Sequence, residues 1–189
     1  MGFNGRTSGP VRSREPINPI FQTITSLFNI ISNLKQMKPL TELIEPKNRK
    51  QLENHFLELQ LNTPAVWGKM TPQQMVEHLI DQVQYTNGKK EPFCEVPEEE
   101  ANKAKQVNIY TNVEIPRNVV FGTVQEELIY PSLSDAIQQL ITELDDFDQY
   151  FMKPGRTAVH GGFGPMNYKE WLIWHSKHFY HHLKQFDLI

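Results

Sequence analysis

The 189-residue chain has one cysteine, Cys94, so no intramolecular disulfide can staple it and stability must come from an apolar core. It also lacks a positive excess. Its 19 Lys and Arg stand against 22 Asp and Glu, a formal charge of -3, which leaves nucleic-acid binding without electrostatic support. No long apolar run is present. The longest candidate, Ile17 to Leu34, is interrupted by Asn18, Pro19, Gln22, Asn29, Ser32 and Asn33, too many polar groups for a membrane span. The first residues show no apolar stretch with a small-residue cleavage site, and with the lone cysteine this makes a cytoplasmic location the expectation. Strand-like alternation is scarce as well. Ile109 to Ile115 and Val119 to Val124 are short and interrupted by polar residues, so no strand pair is expected.

What is present is helical periodicity. Residues 1–16, with Gly2, Gly5, Gly9 and Pro10 among Arg6, Arg12 and Arg14, have the composition of a flexible arm. Within residues 17–45, Ile20, Phe21, Ile24, Leu27, Phe28, Ile31 and Leu34 recur at helical spacing before Pro39, which predicts an extra N-terminal helix followed by a linker. A second helix is expected from about Pro46 to Leu61. The third has the best start signal: Thr71 as N-cap, Pro72 in the first turn and Gln74 three residues after the cap, running to about Asn87 and ending at Gly88. Residues 89–131 contain Pro92, Pro97 and Pro116 and read as a long connection in which only Glu98 to Asn108 is helical. Ser132 or Ser134 then caps a helix carrying Ile137, Leu140, Ile141, Leu144, Phe147 and Phe151 as far as Pro154. The last helix follows the loop from His160 to Met166, with Asn167 as its cap and Glu170 three residues on. The expected fold is all-α, with residues 46–189 forming the helical bundle.

Five of the seven histidines lie in the last thirty residues, four of them between His175 and His182. On an ideal helix turning about 100° per residue from Trp171, His182, His178 and His175 fall at roughly 20°, 340° and 40°, on the face of Trp171 and Phe186. Lys177 and Lys184 fall opposite, at roughly 240° and 220°. Histidines at i and i+4 on one face can reach the same divalent ion, and His178 and His182 have that spacing. A third ligand must come from another helix. His78, mid-helix between Met75 and Leu79, is the better candidate and His55, beside Phe56, the weaker. Each of these histidines could instead be a hydrogen-bonded core residue, although three imidazoles on a buried face would need several separate polar partners. Gln185 reads equally as a surface residue or as an outer partner of a ligand.

The run His178-Phe179-Tyr180-His181-His182-Leu183-Lys184-Gln185-Phe186 resembles the terminal helix of the DinB-like superfamily, which reads His, two residues, His-His, two residues, Gln and an apolar residue. The segment from Trp67 to Leu79 is similar to that superfamily's opening metal helix, and the loop Phe163-Gly164-Pro165-Met166 leading to Trp171 resembles a DinB-like branch of unknown function. Together these segments cover roughly residues 47 to 189. The resemblance implies an up-down-down-up four-helix bundle holding one divalent metal ion, zinc, nickel or iron, on His78, His178 and His182, with His181 and Gln185 as neighbours. It further implies a metal-dependent enzyme acting on a small molecule, a thiol-dependent S-transferase or a hydrolase, since relatives use bacillithiol, mycothiol or glutathione. The extra N-terminal helix departs from the superfamily core, and a homodimer is one role for it.

In a catalytic site the metal would lower the pKa of a bound water or thiol. Cys94, in a proline-rich loop without a basic neighbour in sequence, is poorly placed as the sulfur nucleophile, so a low-molecular-weight thiol cofactor is expected instead. Glu77, Asp81, His160 and His175 stand open as candidate general bases. The competing reading is a metal-binding helical module without catalysis, or an accessory domain related to proteins of phenylacetate breakdown. A structural metal would be coordinated fully by protein, whereas a catalytic one keeps an open position.

Overall fold

The third helix begins where its capping signal places it. In the computed structural model, the Thr71 side chain accepts from the Gln74 backbone N–H, and the Gln74 side chain accepts from the Thr71 N–H at 2.9 Å. The structure describes Met1 and residues 42–118 and 127–189, and the unit Pro39–Ile189 contains all of these but Met1. The expected helix Ile20 to Leu34 and the segment Val119 to Val124 lie outside the described residues.

Five α-helices are described: α1 Arg49–Leu57, α2 Pro72–Gln84, α3 Glu98–Tyr110, α4 Leu133–Phe151 and α5 Tyr168–Gln185. A 3-10 turn, Pro46–Asn48, precedes α1. The last two caps are as expected, and Ser132 is the serine that accepts from Asp135 N–H. At α5, Asn167 and Glu170 form a reciprocal capping box. Each such cap contributes about 1 kcal/mol.

Two expectations are corrected. The helix expected to reach Leu61 stops at Leu57, because Gln60 donates its N–H to the Thr63 hydroxyl at 2.9 Å and the chain turns before Pro64. The loop before α5 also contains a small antiparallel hairpin, β1 Ala158–His160 paired with β2 Gly164–Met166. Three-residue strands are too short to show alternation. Gly164, at φ +68°, takes a left-handed conformation as the chain enters β2.

The core is built from the periodic faces. Met75, Val76, Leu79, Ile80 and Val83 of α2 face α4, which supplies Ala136, Ile137, Leu140, Leu144 and Phe147. Helix α5 contributes Trp171, Phe179 and Leu183, and the Phe179 ring meets Phe56 of α1 edge to face at 6.1 Å. Arg49, buried, ties α1 to α4 through Asp145 at 3.2 Å and Asp148 at 2.8 Å. Among the described residues no helix is long and apolar enough to cross a membrane.

Lys177, on the side of α5 opposite the histidines, is also buried. It is only 7% exposed, and its ammonium donates to the carbonyls of Asn108 at 2.7 Å, Thr111 at 2.7 Å and Val113 at 3.2 Å. Those carbonyls belong to the end of α3 and the residues beyond it. The negative end of a helix and three orphan acceptors explain why a cation is buried there. Helix α5 is thus covered on two sides, and burial lowers the Lys177 pKa.

Candidate metal centre

Two helices deliver the three histidines. His178 and His182, one turn apart on α5, meet His78 from the middle of α2, and one ligand atom from each lies within 4.8 Å of the others. His178 Nε2 is 3.2 Å from His78 Nε2 and 3.0 Å from His182 Nε2. His55, the weaker candidate for third ligand, is not in the cluster.

These contacts are poorly explained as hydrogen bonds alone. An imidazole nitrogen carries either one hydrogen or one in-plane lone pair, so His178 Nε2 cannot form two well-aligned bonds at once. A divalent cation accepts lone pairs from all three rings. Two nitrogens each about 2.0–2.1 Å from a zinc ion would stand about 2.8–3.4 Å apart for N–Zn–N angles of about 90–110°, which accommodates both spacings. The three nitrogens therefore lie close enough together to hold one metal ion.

The electrostatics favour neutral imidazoles, the form that binds metal. Burial pushes His182 down to about 3, with the neighbouring His78 adding to the effect. Burial also lowers His178 well below the ordinary histidine value, assisted by His182 and His78, and it lowers His78. His182 is buried, whereas His78 and His178 are part-buried.

The surrounding bonds fix the state of one ligand. Gln185, 4% exposed, donates through Nε2 to the Trp67 carbonyl at 2.8 Å, which orients its amide. Its Oε1 must then accept from His182 Nδ1–H, also at 2.8 Å. The proton on Nδ1 leaves the Nε2 lone pair directed into the cluster. Gln185 is thus the buried partner of the candidate ligand His182 rather than a surface residue. His178 Nδ1 is buried with no partner among the described residues.

The other titratable candidates separate. Glu77 accepts from Ile129 N–H at 2.7 Å, Tyr130 N–H at 3.2 Å and Gln73 Nε2 at 2.9 Å, so its carboxylate is spent holding residues 129–130 against α2. His175 is 1% exposed between Trp171 and Phe147. Its Nε2 lies 3.1 Å from Thr86 Oγ1, whose own hydrogen goes to the Val83 carbonyl, so His175 is the donor in a core contact. His160 stacks on Phe163 at 4.0 Å and accepts the Gly162 N–H at Nδ1, with burial pushing its pKa down to about 4. Asp81 remains: it is part-buried, paired with Lys90, and close enough to His78 for its charge to raise that imidazole's pKa. Cys94 is exposed, and its Sγ donates to the Val96 carbonyl at 3.3 Å. His181 packs its ring against Trp67 at 5.5 Å and lies 5.1 Å from the His182 ring.

The Trp67 carbonyl is not legible in the sequence, because a backbone acceptor has no residue signature. Gly68 was the available signal: it has φ +80°, and a Cβ there would stand 2.6 Å from Gln185 Nε2. Comparison of the chain with family models, curated proteins and solved structures gives no match.

Proposed function

We propose that this chain is a metal-dependent enzyme of the DinB-like superfamily, with α1, α2, α4 and α5 as an up-down-down-up four-helix bundle and a thiol-dependent transfer as its reaction. The observation that carries the reading is the convergence of three imidazole nitrogens from two helices, with two of the three histidines part-buried. A structural site would enclose its ion with a fourth protein ligand, and a cluster of three donors with no fourth among the described residues suits an ion that keeps an exchangeable position. Zinc, nickel and iron(II) all accept such a donor set.

His78, His178 and His182 would hold a divalent ion, which when bound would supply acidification of a water or thiol near neutral pH. The chain's own contribution is to present three neutral donors in fixed directions. His182 is held by Gln185, and the buried faces of α2 and α5 hold the backbones of all three. Asp81 is the carboxylate we assign to receive the thiol proton, since it lies one turn beyond His78 and is partly open to solvent. The sulfur then forms the new S–C bond while the leaving group departs with its electron pair. Cys94 has no part in the reading, so the sulfur comes from a small thiol such as glutathione, mycothiol or bacillithiol.

The test is a turnover panel. The chain loaded separately with zinc, nickel and iron(II) is mixed with each of those thiols and a set of carbon electrophiles, and thiol consumption is followed. Consumption that disappears on chelation and in His78→Ala is expected. Absence of metal-dependent consumption across the panel, with metal bound, would favour the non-catalytic module.

A further inference from the structure

The loop before α2 reaches across to the C-terminal end of α5 and grips one residue twice. Val66 N–H donates to the Gln185 carbonyl at 2.8 Å, and the Trp67 carbonyl accepts from Gln185 Nε2 at the same distance. The Trp67 ring is itself fixed, edge to face with His181 at 5.5 Å and beneath the Arg117 guanidinium at 4.1 Å. At the next residue the chain turns through the left-handed region, and the space where a side chain would begin is taken by the Gln185 amide nitrogen, 2.6 Å from an ideal Cβ.

The consequence runs through hydrogen-bond polarity. A carbonyl can only accept, so the Trp67 oxygen forces the Gln185 amide to present NH2 toward the loop and Oε1 toward His182. Oε1 can only accept, so His182 carries its hydrogen on Nδ1. An amide turned the other way would present its NH2 group to Nδ1, favour the Nε2–H tautomer, and put a hydrogen where a metal needs a lone pair.

We propose that Val66-Trp67-Gly68 is a positioning loop that selects the metal-binding tautomer of His182 through Gln185, and that Gly68 is glycine both for its left-handed φ and because a side chain there would displace that amide. The role of the loop in affinity rests on the three-histidine reading above, whereas its role in the tautomer does not. The loop belongs to the segment preceding the helix that carries His78. One stretch of chain thus supplies one ligand and sets the state of another.

The experiment has two readouts. The first is the tautomer of His182 in the metal-free chain at neutral pH, read from 15N imidazole shifts assigned with a His182→Gln control. Wild type should show hydrogen on Nδ1, and Gly68→Ala should show a mixture. The second is zinc affinity by competition with a chromophoric chelator for wild type, Gly68→Ala, Gln185→Ala and the double variant. Outer partners of metal ligands are worth about 10- to 100-fold in affinity, so Gly68→Ala should weaken zinc by about 10-fold or more alone. In the Gln185→Ala background the same change should matter by less than about twofold, because residues acting through one another are non-additive. Equal losses in both backgrounds would reduce Gly68 to a fold-stability role and overturn the proposal, as would an Nε2–H tautomer in wild type. If Gly68→Ala does not fold, the wild-type tautomer and Gln185→Ala still decide. A wild-type chain that binds no zinc sinks the metal reading instead, and the tautomer then judges the loop by itself.

Discussion

His175→Gln should flatten the acid side of the stability profile. His175 is 1% exposed, and burial pushes its pKa down to about 3 from the ordinary 6.5, with His160 adding slightly. A base whose folded pKa is depressed binds fewer protons in the native state than in the unfolded one. Its folded state is therefore fully stable above pH 6.5 and loses stability as pH falls from 6.5 toward 3. The loss is about 1.4 kcal/mol per pH unit in that window, or about 2 kcal/mol at about pH 5. Glutamine removes the titration while keeping an N–H donor for the Thr86 hydroxyl, which His175 Nε2 now faces at 3.1 Å. Urea unfolding of both chains, in chelator so that no metal contributes, should be run between about pH 8 and about pH 5. The wild type should lose about 2 kcal/mol more than the variant across that range. Parallel profiles would mean that His175 is protonated or hydrated in the native state and that its place in the core is wrong.

Zinc binding should persist to lower pH than at exposed histidines, because burial holds His182 at about 3 and lowers His178 and His78 below the ordinary 6.5. Competition titrations at several pH values would show this, and a steep loss on crossing 6.5 would contradict it. Lys177→Met should cost on the order of 3 kcal/mol, since three carbonyls at the end of α3 lose a charged donor and stay covered. Thermal melting and hydrogen exchange at residues 108–113 report it, and an unchanged melting temperature would mean that the ammonium is dispensable.

The helices were legible where local chemistry sets them. Thr71, Ser132 and Asn167 announce their caps, and the apolar positions of α4 keep a clean 3.6-residue period because one face alone is buried. The i, i+4 pair on α5 was legible from its spacing alone, which puts His178 and His182 one turn apart on the Trp171 face. Choosing His78 over His55 depended on its apolar flanks, Met75 and Leu79, and the structure brings it to the pair. What escaped reading came from groups with no side-chain pattern. The burial of Lys177 depends on backbone carbonyls contributed by residues 64 to 69 positions away, and the orientation of Gln185 depends on the carbonyl of Trp67. The hairpin 158–166 is too short for periodicity, and Glu77 looked available until the backbone of residues 129–130 claimed it.

The central claim is that His78, His178 and His182 are the ligands of one ion, and elemental analysis of purified protein tests it most directly. Wild type grown with zinc, nickel and iron present should carry about one metal per chain. His78→Ala, His178→Ala and His182→Ala should each lose most of it, and His55→Ala should retain it. Stoichiometric metal in His78→Ala and His178→Ala, or a wild type that never carries any, would contradict the account.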